Sequence, residues 1–166
     1  MIRLKQILVA TDFSEPSDAA LNYGRELARA FGAHLQILNV VDNLTATMVG
    51  PEGYIGNLME IQRDVEEAAR KRLAALIDDD ARREADARSV LLTSSTPAFA
   101  IVNHAKEAEV DLIVMGTHGR GGLGHLLMGS VAEKVVRSAP CPVLTVRRPE
   151  HEFVLPDALV AIARSA

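Results

Sequence analysis

Apolar residues along the chain gather into short continuous runs separated by stretches with helical spacing. Ile7 to Ala10, Leu35 to Val41, Ser89 to Thr93, Leu112 to Met115 and Val143 to Val146 read as strands, because short apolar runs rich in branched side chains suit a strand buried on both faces. Between the first two runs Ala20, Gly24, Leu27 and Phe31 recur at helical spacing, behind Ser14 as N-cap and Pro16 in the first turn, with Gly32 as the stop. Leu58, Ile61, Val65, Ala69, Leu73 and Leu76 mark a longer amphipathic helix. Its outer face carries Glu66–Arg70, Glu67–Lys71 and Asp79–Arg83 pairs one turn apart. Thr96-Pro97 opens a third helix that turns Ile101, Ala105 and Ala108 inward, and Ser130 opens a fourth. Strands alternating with helices in this order predict an α/β fold: one parallel sheet with helices on both faces, in which ligands bind beyond the C-terminal ends of the strands.

Two stretches break the periodicity. Asp42 to Asn57 holds three glycines and one proline and is expected to be a flexible insertion at the end of the second strand. Gly116 to Gly129 is a glycine-dense loop that leaves the fourth strand and enters the Ser130 helix. A strand, a glycine loop and a helix N-terminus in that order form a plausible phosphate cradle, since glycine lets backbone approach a ligand and the first helical turn offers N–H groups to an anion. Pro149 to Ala166 is a tail with a short amphipathic segment.

Composition narrows the function classes. A chain of 166 residues fits one domain. A net charge of −4 supplies no basic field, and 4% aromatic residues without Trp supply no base-stacking surface, so no nucleic-acid partner is expected. The single Cys141 between two prolines excludes an internal disulfide and reads as a small apolar filler. The Asp78-Asp79-Asp80 run reads as a solvated helix face rather than a metal site. The N-terminal stretch lacks the apolar core and cleavage site of a signal peptide, and no apolar run nears the roughly 20 residues that span a bilayer, so a cytoplasmic protein without membrane insertion is expected.

The glycine loop admits more than one motif. Gly119 and Gly124 have Walker A spacing, but His125 and Leu126 stand where a lysine and a hydroxyl residue belong. Gly119, Gly121 and Gly124 spell a dinucleotide fingerprint, yet that motif belongs in the turn after the first strand. The spacing Gly116-x2-Gly119-x9-Gly129-Ser130 resembles the nucleotide-binding signature of the universal stress protein family, in its ATP-binding branch. ILVATDFSE, LNVVD, DLIVMGTHG and APCPVLTVR resemble other segments of that family, in the same order, over roughly residues 2 to 148.

The resemblance implies a single Rossmann-like domain of the adenine nucleotide alpha hydrolase type over residues 1–148, doubly wound, with strand order 3-2-1-4-5. It also implies residue roles. Ala10, Thr11 and Asp12 would line the nucleoside, with Asp12 accepting from a ribose hydroxyl, as an acceptor-only carboxylate can. The backbone of Val40 would meet the adenine edge, and Met115 and Gly116 would lie along the ribose. Gly119, Gly129, Ser130 and Val131 would hold the phosphates, with Arg120 nearby and Mg²⁺ bridging the phosphate oxygens. A duller role for Asp12 is capping its own turn, though nucleotide contact is the favoured reading, and Ser130 with Glu133 spells a capping box. Ala10 and Ser95 replace a proline and a glycine common in the family. The expected function is an ATP-binding (or ADP- or AMP-binding) regulatory module. It would be a homodimer paired through Val143–Val146 and would act on a protein partner the sequence does not identify. The alternatives are a slow ATPase or nucleotidyl-transferring enzyme, for which the sequence offers no clear general base near the phosphates besides His118, and a ligand-free scaffold, which the presence of Gly116, Gly119 and Gly129 disfavours.

Overall fold

A computed structural model describes residues 2–46, 52–77, 86–117 and 128–147. The elements follow the order β1 (Gln6–Ala10), α1 (Glu15–Phe31), β2 (His34–Val41), α2 (Glu52–Ala75), β3 (Arg88–Thr93), α3 (Pro97–Glu107), β4 (Leu112–Gly116), α4 (Ser130–Ser138) and β5 (Val143–Val146). All strand pairs are parallel, in the order β3-β2-β1-β4-β5, with Ile7 opposite Leu35 on one side and Leu112 on the other. The expected α/β class and strand order are therefore those observed.

Alternation along β1 sorts the core into two layers. Ile7 and Val9 face α1 and the C-terminal part of α2, packing with Ala20, Leu21, Ala28, Leu73 and Ile77. Leu8 and Ala10 face α3 and α4, packing with Ile101, Ala105, Ala132 and Val135. β1 sits in the middle of the sheet, and Ile7, Leu8 and Val9 are fully buried. Burial on both faces is why the sequence there is a continuous apolar run. Gly32 ends α1 in the left-handed region, φ 61°, as a C-cap glycine does.

Several expectations are corrected. The segment 42–57 is not loop throughout, because α2 begins at Glu52 and includes Gly53 and Gly56. Extending an existing helix adds one hydrogen bond per residue, which offsets a glycine cost of about 1 kcal/mol each. Ile61 and Val65 do not face the core, being 49% and 39% exposed, while Gln62 is 8% exposed in their place. Phe31, the last residue of α1, is half exposed rather than core. Ala108 is the cap residue of α3, partly buried rather than core. The pairs Glu66–Arg70 and Glu67–Lys71 form at 3.4 and 2.7 Å, whereas Asp78 to Asp80 and Arg83 lie outside the described residues. Cys141 is half-buried against the α3–α4 layer, and burial pushes its thiol above the ordinary range. No described helix is long and apolar enough to cross a membrane.

Candidate functional site

The order of the sheet reverses at β1: the chain goes from β1 outward to β2 and β3, then returns to β4 on the other side. The helix after β1 packs on one face and the helix after β4 on the other. Their N-termini diverge above the β1–β4 pair, which makes a crevice at the strand C-termini.

The first wall of the crevice is the turn after β1. Thr11 and Ser17 are buried, and their hydroxyls meet at 3.0 Å. The Thr11 hydroxyl accepts from Phe13 N at 3.0 Å, while Asn39 Nδ2 donates to the Thr11 carbonyl at 2.7 Å. Asp12 Oδ1 accepts from the Ser14 amide at 3.1 Å and from the Ser14 hydroxyl. Asp12 thus caps its own turn as the local reading expected, and Ser14 occupies the N-cap of α1 without a side-chain cap bond. Asn39 was not singled out in the sequence. Its signal was a polar residue inside an apolar strand, since a buried amide must find a partner.

β2 supplies the second wall. Thr11 N donates to Leu38 O at 2.8 Å and Ser94 N to Val41 O at 2.9 Å. Even-numbered residues of β2 therefore turn their backbone groups toward β1, and odd-numbered ones toward β3. Val40 lies two residues beyond Leu38, which is the register partner of Ala10 at the end of β1. Its N–H and C=O thus point past the end of β1, into the crevice.

β4 and α4 form the third side. Met115 is buried opposite Ala10 in register, so both are floor residues within the α3–α4 layer. A Cβ on Gly116 would lie 2.9 Å from the Pro16 carbonyl carbon and 3.0 Å from its Cβ and O, so glycine here lets β4 touch the first turn of α1. Thr117 N donates to Val146 O at 2.9 Å, and Gly129 N donates to Thr117 O at 2.7 Å. The Gly129 N–H is thus engaged by the end of β4, across the base of the glycine loop. Gly119 and Arg120, with His118, lie outside the described residues.

The N-cap of α4 is Gly129, not Ser130, which is the first helical residue. Glu133 N bonds Gly129 O at 2.9 Å, and the Glu133 carboxylate pairs with Arg137 at 3.0 Å, so the expected capping box does not form. The amides of Ser130, Val131 and Ala132 precede the first intrahelical bond and face outward from the helix end, toward the crevice. Ser130 is exposed there, and Val131 packs against the α3–α4 layer.

At the β2–β3 side, Glu66 accepts from the Thr93 hydroxyl at 2.8 Å and from Gln62 Nε2 at 3.1 Å. The Thr93 bond first, then Gln62, holds the Glu66 carboxyl below the ordinary carboxylate range. Gln62 Oε1 accepts from Leu44 N at 2.9 Å, which ties α2 to the exit of β2. No group of three or more His, Cys, Asp or Glu placed to hold a metal occurs among the described residues.

A sequence model of the family described as "Universal stress protein family" matches residues 3–147. Universal stress protein YxiE of Bacillus subtilis is 36% identical over 86% of this chain and 98% of its own. A solved universal stress protein from Lactobacillus plantarum superposes with a TM-score of 0.71 at 26% identity, covering 89% of this chain and all of that one. A universal stress protein solved in complex with cAMP superposes with a TM-score of 0.56 at 25% identity, covering 88% and 98% of the two chains.

Proposed function

The chain belongs to the universal stress protein family, and from that premise we propose that it binds an adenine nucleotide, ATP with Mg²⁺, in the crevice above β1 and β4. The observation that carries the reading is the convergence of three backbone features on one space. These are the outward N–H and C=O of Val40, the Asp12 turn, and the amides opening α4 at Ser130 and Val131. An adenine base presents an amino donor beside a ring-nitrogen acceptor, the complement of a strand's C=O and N–H. Guanine presents the reverse order and pairs poorly with the same backbone. Asp12 would accept from the ribose while its capped turn holds it in place. The α4 amides would take phosphate oxygens, with the Ser130 hydroxyl beside them. Ala10, Thr11, Met115 and Gly116 shape the floor, and Gly119 and Arg120 would complete the phosphate side.

The described residues offer no carboxylate cage, so Mg²⁺ would take its ligands from phosphate oxygens and water, as that ion usually does. The cAMP-bound relative adds support from a protein of the same fold. Nucleotide occupancy would couple to the molecule's surroundings through the glycine loop, and a homodimer paired through β5 would carry the change to a protein partner.

Calorimetric titration of the purified chain with ATP and Mg²⁺ tests the reading. Binding is expected in wild type, weakened about tenfold by Ser130→Ala as one phosphate hydrogen bond is lost. No heat and no thermal shift with ATP, ADP or AMP would overturn it.

A further inference from the structure

Resting on that nucleotide reading, we propose that Ile61 and Val65 of α2 form the apolar wall against which the adenine base lies. In the sequence these residues read as core, yet both are exposed while their polar neighbour Gln62 is buried. A helix that shows two branched side chains to solvent and hides a glutamine has been rotated by specific anchors. Those anchors are on view: Gln62 holds Leu44 N, Glu66 holds Thr93, and Ala69 and Leu73 enter the core.

The anchors fix the height of the pair. Thr93 is the last residue of β3 and the register partner of Val41, so Glu66 stands level with the C-terminal end of β2, beside Val40. Val65 is adjacent to Glu66, and Ile61 is one turn nearer the helix N-terminus, about 6 Å further beyond the sheet.

The direction follows from Arg72. Its guanidinium lies 4.1 Å from the centroid of the Phe13 ring, so that side of α2 looks toward the turn after β1. Val65 precedes Arg72 by two helical turns and Ile61 by three, so all three share one side of the helix. Ile61 and Val65 therefore overlook the space bounded by Phe13, Asp12 and the outward backbone of Val40. Val40 can read the edge of a planar base, and branched side chains beside it can cover a face. A second copy of the chain or a protein is a less fitting occupant, because this side of α2 turns inward over the crevice.

The test compares the wild-type chain with an Ile61→Ser, Val65→Ser variant by calorimetry, using ATP and inorganic tripolyphosphate as probes. Both positions are exposed, so the substitutions should leave the fold intact. The expected result is an ATP affinity about tenfold lower, unchanged tripolyphosphate binding, and recovery of ATP affinity in Ile61→Leu, Val65→Ile. Unchanged ATP affinity in the serine variant would overturn the wall, as would an equal loss of tripolyphosphate binding. A change of oligomeric state by light scattering, with ATP affinity intact, would assign the same side chains to an interface and overturn it too. Wild type that binds no adenine nucleotide at all is the separate outcome that removes the nucleotide reading itself.

Discussion

Phe13 follows Asp12 with a left-handed backbone, φ 62°, which costs a residue with a β-carbon about 1–2 kcal/mol. Its surroundings hold it there. The Thr11 hydroxyl takes the Phe13 amide, Asn39 takes the Thr11 carbonyl, and Arg72 lies over the ring. Asn39→Ala removes the donor from a buried carbonyl, so a loss of about 1–3 kcal/mol in urea unfolding is expected. The same variant should lose ATP affinity, because Asp12 rides on that turn; intact stability would show that the carbonyl finds another partner. Gly116 requires a different experiment. It falls on the family's glycine signature, but its contact is with Pro16, and the clash is with backbone rather than with a flexible side chain. Gly116→Ala is expected to destabilise the fold by about 1–3 kcal/mol by forcing β4 away from α1. Circular dichroism melting without ligand checks this, and an unchanged midpoint would return Gly116 to a purely nucleotide role. The sequence could flag Gly116 as special but not say why, since its neighbour lies 100 positions earlier in the chain.

Among the elements, α2 departs most from its sequence pattern. The strands were legible because a sheet covered on both faces demands apolar residues throughout, as Ile7–Val9 and Ile113–Val114 illustrate. α2 is different. Its C-terminal half packs in the ordinary way through Ala69 and Leu73, and its middle is fixed by polar bonds to Thr93 and Leu44. Hydrophobic spacing alone could not reveal that Gln62 would be buried in place of Ile61, because the decisive partners are a β3 hydroxyl and a loop amide. The anchoring has a pH signature. The Glu66 carboxyl is held below its ordinary value of 4.5, first by Thr93 and then by Gln62. A depressed carboxyl stabilises the fold fully above the unfolded value and loses that contribution as pH falls through the lower folded value. Amide exchange in α2 is therefore expected to rise as pH drops below about 4.5, after correction for intrinsic exchange. Thr93→Val should flatten that rise; an identical acid response in the variant would mean that Thr93 does not carry the shift. On the opposite layer, His104 bonds Gln36 at 2.7 Å, and burial, partly countered by Glu107, pushes its imidazole below the ordinary range.

For the whole molecule, the open question is what covers β5. Among the described residues its strand neighbour is β4, so its far edge ends the sheet. Ile113 N bonds Pro142 O at 3.0 Å and Thr117 N bonds Val146 O at 2.9 Å, which turns the even-numbered residues of this strand toward β4. The backbone groups of Val143 and Thr145 consequently point outward, as a template for another strand. The far edge of β3, by contrast, begins with the exposed Arg88 and Ser89, and charge on an edge discourages pairing. A two-fold dimer through β5 would continue the sheet across the molecule and place two nucleotide crevices on one assembly. Thr145→Pro isolates this contact. Proline removes an N–H that faces away from β4, so the native ladder keeps its bonds while the outward template loses a donor. The expected result is a dimer for wild type by light scattering and a monomer for the variant, with the same helical content by circular dichroism. ATP should still bind the monomer, because every crevice residue named above comes from one chain. A wild-type chain that runs as a monomer at micromolar concentration would refute the β5 dimer, and a Thr145→Pro chain that remains dimeric would move the interface elsewhere.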